Sequence, residues 1–454
     1  MRQYLIVITV NLSVLATGLG LVWPSPVLVK LRNATETVLP APISEEQGSW
    51  IVSIGFLTGM VANLFAGFLV DRIGRKYTIC LACLPRVAVG FLCIFATEVW
   101  MILLARAILG AADSFVFTVL PMYASEVASN EIRGSLGTIL QIMCSIGVVT
   151  MLSVGPFISY VSLNVVYTVF LVVTTLPLAF LPDSPYFLFS KGRNEEAVQV
   201  LTFLRGSDSK AHEEMKEYAA TNSDVKISRE IFKKKSFWKS FGIVLALGAG
   251  AQLSGFNSVS FYLQTILEST QSSVKPEVSS VMIGMIQLFA SFCTTMVTDR
   301  FGRKTILAVT ISGMALGMLG LGAFFYVKDS GPISGAMNFI PLASLILVVY
   351  SYSAGVGSIN WVLSAELFDD RSRGMGLSIV SFSSYILIFI ATKYFPLLIL
   401  SIGPAATYWF FSVNCVLFCL FIIFCIPETK GKSIGEIQTA LGADRKNNEK
   451  IDRF

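Results

Sequence analysis

Twelve apolar blocks run through the 454-residue chain, most of them near twenty residues long and broken by few charges. A helix of ~20 residues is long enough to cross ~30 Å of hydrocarbon. A segment in lipid must satisfy its backbone internally, so each block has to be a helix or a barrel strand. These blocks are continuous and do not alternate, which excludes barrel strands. Helices are therefore predicted over 4–24, 49–70, 77–97, 100–124, 134–156, 163–181, 237–265, 279–298, 304–326, 338–363, 375–397 and 403–426. The fold class that follows is an all-α membrane protein with twelve transmembrane helices. Composition agrees: 54% of residues are hydrophobic and 14% charged, with mean hydropathy +0.70. The first block, "MRQYLIVITVNLSVLATGLG", is longer than the apolar core of a signal peptide and has no clear A-x-A site after it. It reads as an uncleaved helix.

Charge sets the orientation. Of 34 Lys and Arg residues, 27 fall in loops on one side of the predicted bilayer. Lys30, Arg32, Lys275 and Lys328 fall on the other, and Arg86, Arg106 and Lys393 lie inside apolar blocks. This positive-inside asymmetry puts both termini in the cytosol. No basic folded face suited to a nucleic acid is present. All eight cysteines lie in or beside apolar blocks. "CLAC" at 80–83 has no second ligand pair, so the cysteines read as packing residues, and neither a metal nor a cofactor is expected. No nucleophile–base constellation marks an enzyme.

Three motifs recur in order. "DRIGRK" (71–76), "EVASNEIRG" (126–134) and "PDSP" (182–185) are followed by "DRFGRK" (299–304), "ELFDDRSRG" (366–374) and "PETK" (427–430). Glu126 precedes Arg133 by seven residues, as Glu366 precedes Arg373. The chain is therefore an internal duplication of two homologous six-helix halves, 1–181 and 237–426. A cytosolic linker, 182–236, and a cytosolic tail, 427–454, complete it. The linker holds "GRNEEAVQVLTFLRG", a short amphipathic helix between two glycines. Parallel six-helix halves are a transporter plan, with the substrate at the midplane between them. Gly74 and Gly302 are expected to let the chain turn between helices, and Asp71 and Asp299 to accept hydrogen bonds from a neighbouring helix end.

These motifs, with "RAILG" (106–110), "PMYASE" (121–126), "RGSLGTILQ" (133–141), "QLSGFN" (252–257) and "PETKGKSIGEI" (427–437), resemble the sugar-porter family of the major facilitator superfamily along nearly the whole chain. Within it, the short N-terminus and "ATKYF" look most like the insect facilitated trehalose transporters. The resemblance implies a sugar site at Gln141, Gln252, Asn257, Gln287 and Trp361, with Phe256, Tyr262 and Tyr385 as aromatic walls or lids. Amides supply paired donors and acceptors for sugar hydroxyls, and an indole face suits an apolar ring face. The resemblance also implies a cytosolic gate between the halves, made by Asp71, Arg72, Arg75, Glu126, Arg133, Asp299, Arg300, Arg303, Glu366 and Arg373. The family pattern has a second Gln where Ala251 stands, and prolines where "GVGSINW" carries Ser358 and Asn360.

The leading expectation is a facilitative carrier for trehalose or a hexose, monomeric and placed in the plasma membrane, with a small sugar and the bilayer as its partners. The alternatives are a sugar sensor and a proton-coupled symporter. The first helix has no Asp or Glu, and no predicted span has a histidine, which favours uniport. Asp113, in the middle of helix 4, is expected to pair with Arg86, because an unpaired charge at that depth costs at least ~2.5 kcal/mol. "NAT" at 33–35 in the first outer loop makes Asn33 a glycosylation candidate.

Overall fold

The computed structural model describes residues 2–128, 133–221, 235–297, 301–331, 335–368 and 370–430, together with 333, 432, 436, 437, 439 and 441. Within its helices, the side chains of 133–138, 220, 221, 235, 295–297, 361, 365 and 370–375 fall outside the description. All regular structure among the described residues is helical. Twelve spans are long and apolar enough to cross a membrane. The chain divides into two compact units, 1–225 and 226–454.

The first unit comprises α1 (Arg2–Val22), α2 (Pro24–Arg32), α3 (Glu45–Ile73), α4 (Arg75–Ile94), α5 (Val99–Val127), α6 (Arg133–Val154), α7 (Tyr160–Thr175), α8 (Pro185–Ser190), α9 (Asn194–Arg205) and α10 (Asp208–Thr221). Local chemistry sets their ends. At the start of α3, Ser44 and Gln47 form a reciprocal capping box, and Glu45 and Glu46 face the positive end of the helix. Gly206, in the left-handed region at φ 71°, closes α9. The spans approach closely where side chains are absent. A Cβ on Gly110 of α5 would lie 2.0 Å from the Gly55 carbonyl oxygen of α3, and one on Gly147 of α6 would lie 2.1 Å from the Leu15 carbonyl oxygen of α1. Lipid gives helices no hydrophobic reason to associate, so such close backbone packing supplies the attraction. Leu64, Phe65 and Phe68 of α3 are exposed, as side chains covered by a bilayer would be.

The linker helices dock under this unit. Arg2 and Gln3 of α1 donate to the Phe203 and Leu204 carbonyls that end α9, at 3.2 and 3.1 Å. Arg205 donates to the Val127 carbonyl at the end of α5, at 2.8 Å, and forks onto both oxygens of Glu214 at 2.7 Å. Helix ends leave such carbonyls without intrahelical partners, and basic side chains satisfy them.

The second unit comprises α11 (Lys235–Leu253), α12 (Phe256–Phe261), α13 (Leu263–Thr270), α14 (Pro276–Val297), α15 (Arg303–Ser330), α16 (Ile340–Ser351), α17 (Gly357–Glu366), α18 (Asp370–Ile402) and α19 (Pro404–Cys425). It departs from the sequence expectation at two places. The helix predicted unbroken over 237–265 is interrupted after Leu253, where Gly255 adopts φ 83°, and again at Tyr262. The tenth span carries a π-helical turn, Tyr352–Val356, between α16 and α17.

Candidate functional site

The break after α11 builds the clearest polar site in the second unit. Gly255 has no room for a side chain, because a Cβ there would meet the Phe411 ring at 2.5 Å. Its positive φ breaks the helix between the end of α11 and the start of α12, within a single span, 236–261. Gln252 in the last turn of α11 and Asn257 in the first turn of α12 are thereby joined, Asn257 Nδ2 donating to Gln252 Oε1 at 2.6 Å. Both residues are half-buried. With that bond made, Gln252 still has its amide hydrogens and Asn257 its carbonyl oxygen, a donor and an acceptor side by side.

Beside them, the rings of Phe256 and Tyr352 stack with centroids 3.5 Å apart and planes 5° from parallel. Tyr352 belongs to the π-helical turn, and sequence reasoning missed it; the available signal was an aromatic residue nine positions before Trp361. Trp361 lies in α17, but its side chain is outside the described residues. In the same helix, Ser358 Oγ and Asn360 Oδ1 are enclosed atoms without a hydrogen-bond partner among the described residues. Gln287 is half-buried on α14, and Tyr385 half-buried on α18. Tyr262 differs from the expected wall: it is buried, its hydroxyl donates to the Thr392 carbonyl at 3.2 Å, and its ring packs on Phe395. It braces α12 and α13 against α18.

In the first unit, Gln141 is half-buried on α6. The expected ion pair is present: Arg86 Nη2 of α4 lies 3.3 Å from Asp113 Oδ1 of α5. Thr17 of α1 joins them, accepting from Arg86 at 2.9 Å and donating to Asp113 Oδ1 at 3.1 Å. Arg86 also donates to the Ser13 carbonyl at 3.2 Å. Arg106 is held separately, donating to the Ile51 and Gly20 carbonyls at 3.0 and 2.9 Å, with its guanidinium 5.7 Å from the Trp23 ring centroid.

The repeated charged motifs form one charge cluster in each unit. In the first, Arg75 grips Glu126 with two prongs, Nη2 to Oε1 at 2.8 Å and Nε to Oε2 at 3.0 Å, and the Ser184 hydroxyl donates to the same carboxylate. In the second, Arg303 lies 3.5 Å from Glu366, and the Thr429 hydroxyl donates to Glu366 at 2.6 Å. The acid of the third motif caps the helix that starts at each arginine. Asp183 accepts from the backbone of Ser184 and Lys76, and Glu428 from that of Arg303, Lys304, Thr429 and Lys430.

That cap role was expected of Asp71 and Asp299. Asp71 and Arg72 are instead exposed, Arg72 lying over the Phe68 ring, and Asp299 and Arg300 are outside the described residues. The side chains of Arg133 in α6 and Arg373 in α18 are also outside them. Burial pushes the Asp183 carboxyl above its usual range, against the opposing pull of the Ser184 and Lys76 amides and Arg75.

Comparison with known proteins accounts for the fold. The chain is 31% identical over 445 residues to the facilitated trehalose transporter Tret1 of Polypedilum vanderplanki, an alignment covering 96% of this chain and 87% of that protein. It is 30% identical to Tret1 of Culex quinquefasciatus, over 96% of this chain and 85% of that protein. Among solved structures, it superposes on the inward-open xylose transporter XylE from E. coli with TM-score 0.83 at 21% identity, covering 96% and 99% of the two chains. It also superposes on the major facilitator superfamily proton:xylose symporter XylE bound to 6-bromo-6-deoxy-D-glucose, with TM-score 0.74 at 21% identity over 97% and 99%. The fold is the major facilitator fold. The family model for sugar (and other) transporters matches residues 25–441, and the chain belongs to that family.

Proposed function

We propose that the chain is a facilitative carrier of trehalose or a hexose, working by alternating access in the plasma membrane with both termini cytosolic. The observation that carries this reading is the joined amide pair Gln252–Asn257 beside the Phe256–Tyr352 stack. It offers what a sugar needs, paired hydrogen-bonding groups next to flat apolar surface. The two relatives named as facilitated trehalose transporters supply the substrate class. Gln141, Gln287 and Trp361 complete the proposed site. The cytosolic gate is assigned to Glu126, Arg133, Glu366, Arg373 and the arginines of both hexapeptides. Uniport is favoured because α1 carries no acid and Asp113 is tied to Arg86 and Thr17.

Asn33 is proposed to carry a glycan. It is exposed at the end of α2, and the Thr35 hydroxyl and amide both donate to its Oδ1, at 2.8 and 3.1 Å.

Uptake of labelled sugars into transport-null cells tests the carrier, and proteoliposomes test the coupling. Gln252→Ala is expected to weaken sugar affinity at least tenfold, ~1.4 kcal/mol, with surface expression intact. Unchanged affinity for every carried sugar would remove Gln252 from the site. Equilibration of labelled sugar is expected to be the same with and without a proton gradient. Accumulation above equilibrium under an inward proton gradient, abolished by Asp113→Asn, would replace the uniporter with a proton-coupled symporter.

A further inference from the structure

The ion pair in the first unit is asymmetric. Arg86 is enclosed, its side chain 1% exposed, whereas the Asp113 side chain is 13% exposed. Its contacts with Thr17 and Arg86 are both made through Oδ1, and among the described residues no hydrogen bond is made to Oδ2. A pair serving only to join α1, α4 and α5 would enclose both oxygens, since a carboxylate lone pair left without a partner in lipid is costly.

Phe117, one turn further along the same face of α5, is 36% exposed, and Pro121, one turn beyond it, is exposed too. The neighbouring helix also places Asp113. Thr17, which contacts Asp113, precedes Gly18, and a Cβ on Gly18 would lie 2.2 Å from the Cys144 carbonyl oxygen of α6. Gln141 stands one turn before Cys144 on that helix. Asp113 and Gln141 thus border the same short stretch of α1 from two sides.

We infer that Asp113 is a sugar-binding residue, its Oδ2 accepting a hydroxyl of the carried molecule while Arg86 and Thr17 orient it and balance its charge. This rests on the sugar-carrier reading above. A carboxylate oxygen accepts strongly from hydroxyl donors, and a charge-assisted bond of this kind gives orientation as well as affinity. Arg86 and Thr17 are positioning residues, acting on the sugar through Asp113.

The test is sugar binding to purified carrier, using the best transported sugar and its set of monodeoxy analogues. The double variant Arg86→Met, Asp113→Leu replaces both charges by apolar groups of similar size, an exchange that folded proteins tolerate. It is expected to purify as a folded carrier and to bind the parent sugar at least tenfold more weakly. One deoxy analogue, lacking the hydroxyl that Asp113 accepts, should bind wild type more weakly than the parent sugar does and bind the double variant equally to it. Asp113→Asn, which keeps the shape of the side chain, should weaken the parent sugar at least threefold and shrink the penalty for the same analogue. Affinity within twofold of wild type in the double variant would reduce the pair to a structural joint and overturn the proposal. Loss of affinity uniform across the analogues in either variant would overturn it as well. Wild-type protein that binds no sugar would instead bring down the carrier reading itself.

Discussion

Gly74 and Gly302 stand at the same place in the repeated hexapeptide and are glycine for different reasons. Gly74 adopts φ 93°, and a Cβ on it would come 2.6 Å from the Phe187 ring. Gly302 has an ordinary φ of −66°, but a Cβ there would come 2.2 Å from Glu428 Oε2, the carboxylate that caps α15. At φ 93° and ψ 168° Gly74 occupies a region essentially reserved for glycine, where another residue costs roughly 1–3 kcal/mol, so Gly74→Ala is expected to lower the melting temperature of the purified protein in detergent by several degrees; an unchanged melt would count against the strained turn. The Asp183 cap makes a prediction about pH. Burial raises its folded-state pKa above the unfolded value, so the folded chain binds that proton more tightly. The stability gained from the proton is full below the unfolded value and lost as pH rises through the raised folded value. Asp183→Asn keeps a capping oxygen and removes the ionisation. It is expected to melt at or above wild type at neutral pH, with the difference shrinking as the pH falls toward the unfolded carboxylate value. A difference that widens on acidification would reverse the assigned cause.

At the scale of elements, the twelve spans were legible because length and continuous apolarity leave few alternatives in lipid. Their interruptions were not. Leu253 and Phe256 keep the hydropathy high on both sides of the break at Gly255, so an apolar window reads straight through it. The resemblance brought Gln252 and Asn257 to notice as residues. Only the helix break at Gly255 shows that they hydrogen-bond each other, and only the π-helical turn brings Tyr352 onto Phe256. The Arg86–Asp113 pair was legible in sequence, since two opposite charges buried at one depth must meet, whereas Thr17 carried no such signal. The break itself is testable. Gly255→Ala forces a side chain against Phe411 at a positive φ, and it is expected to separate the two amides. Sugar affinity should fall about tenfold with helical content by circular dichroism unchanged. Retained affinity would mean that the amides bind without the break.

For the molecule as a whole, duplication explains why one cluster design occurs twice, with Arg75, Glu126 and Ser184 in one unit and Arg303, Glu366 and Thr429 in the other. The repeated "PDSP" and "PETK" were visible in the sequence, but their roles as cap and hydroxyl donor required the side-chain geometry. If these clusters belong to a cytosolic gate, removing one charge-assisted hydrogen bond, ~1.5–3 kcal/mol, shifts the balance of two states roughly ten- to a hundred-fold. Glu366→Gln or Arg133→Ala should then raise the labelling of a midplane cysteine from the cytosolic side and slow net transport. Labelling at the wild-type rate would take these residues out of the gate. The clusters have a further consequence for biosynthesis. Arg75, Glu126, Asp183 and Ser184 all precede residue 226, as do the α8–α10 helices, which bond to α1 and close the end of α5. A ribosome adding ~5–20 residues per second needs roughly 10–50 s more to finish the second unit. Through that interval the nascent first unit already holds the partners for its own buried charges, and it can wait in the membrane as a finished piece.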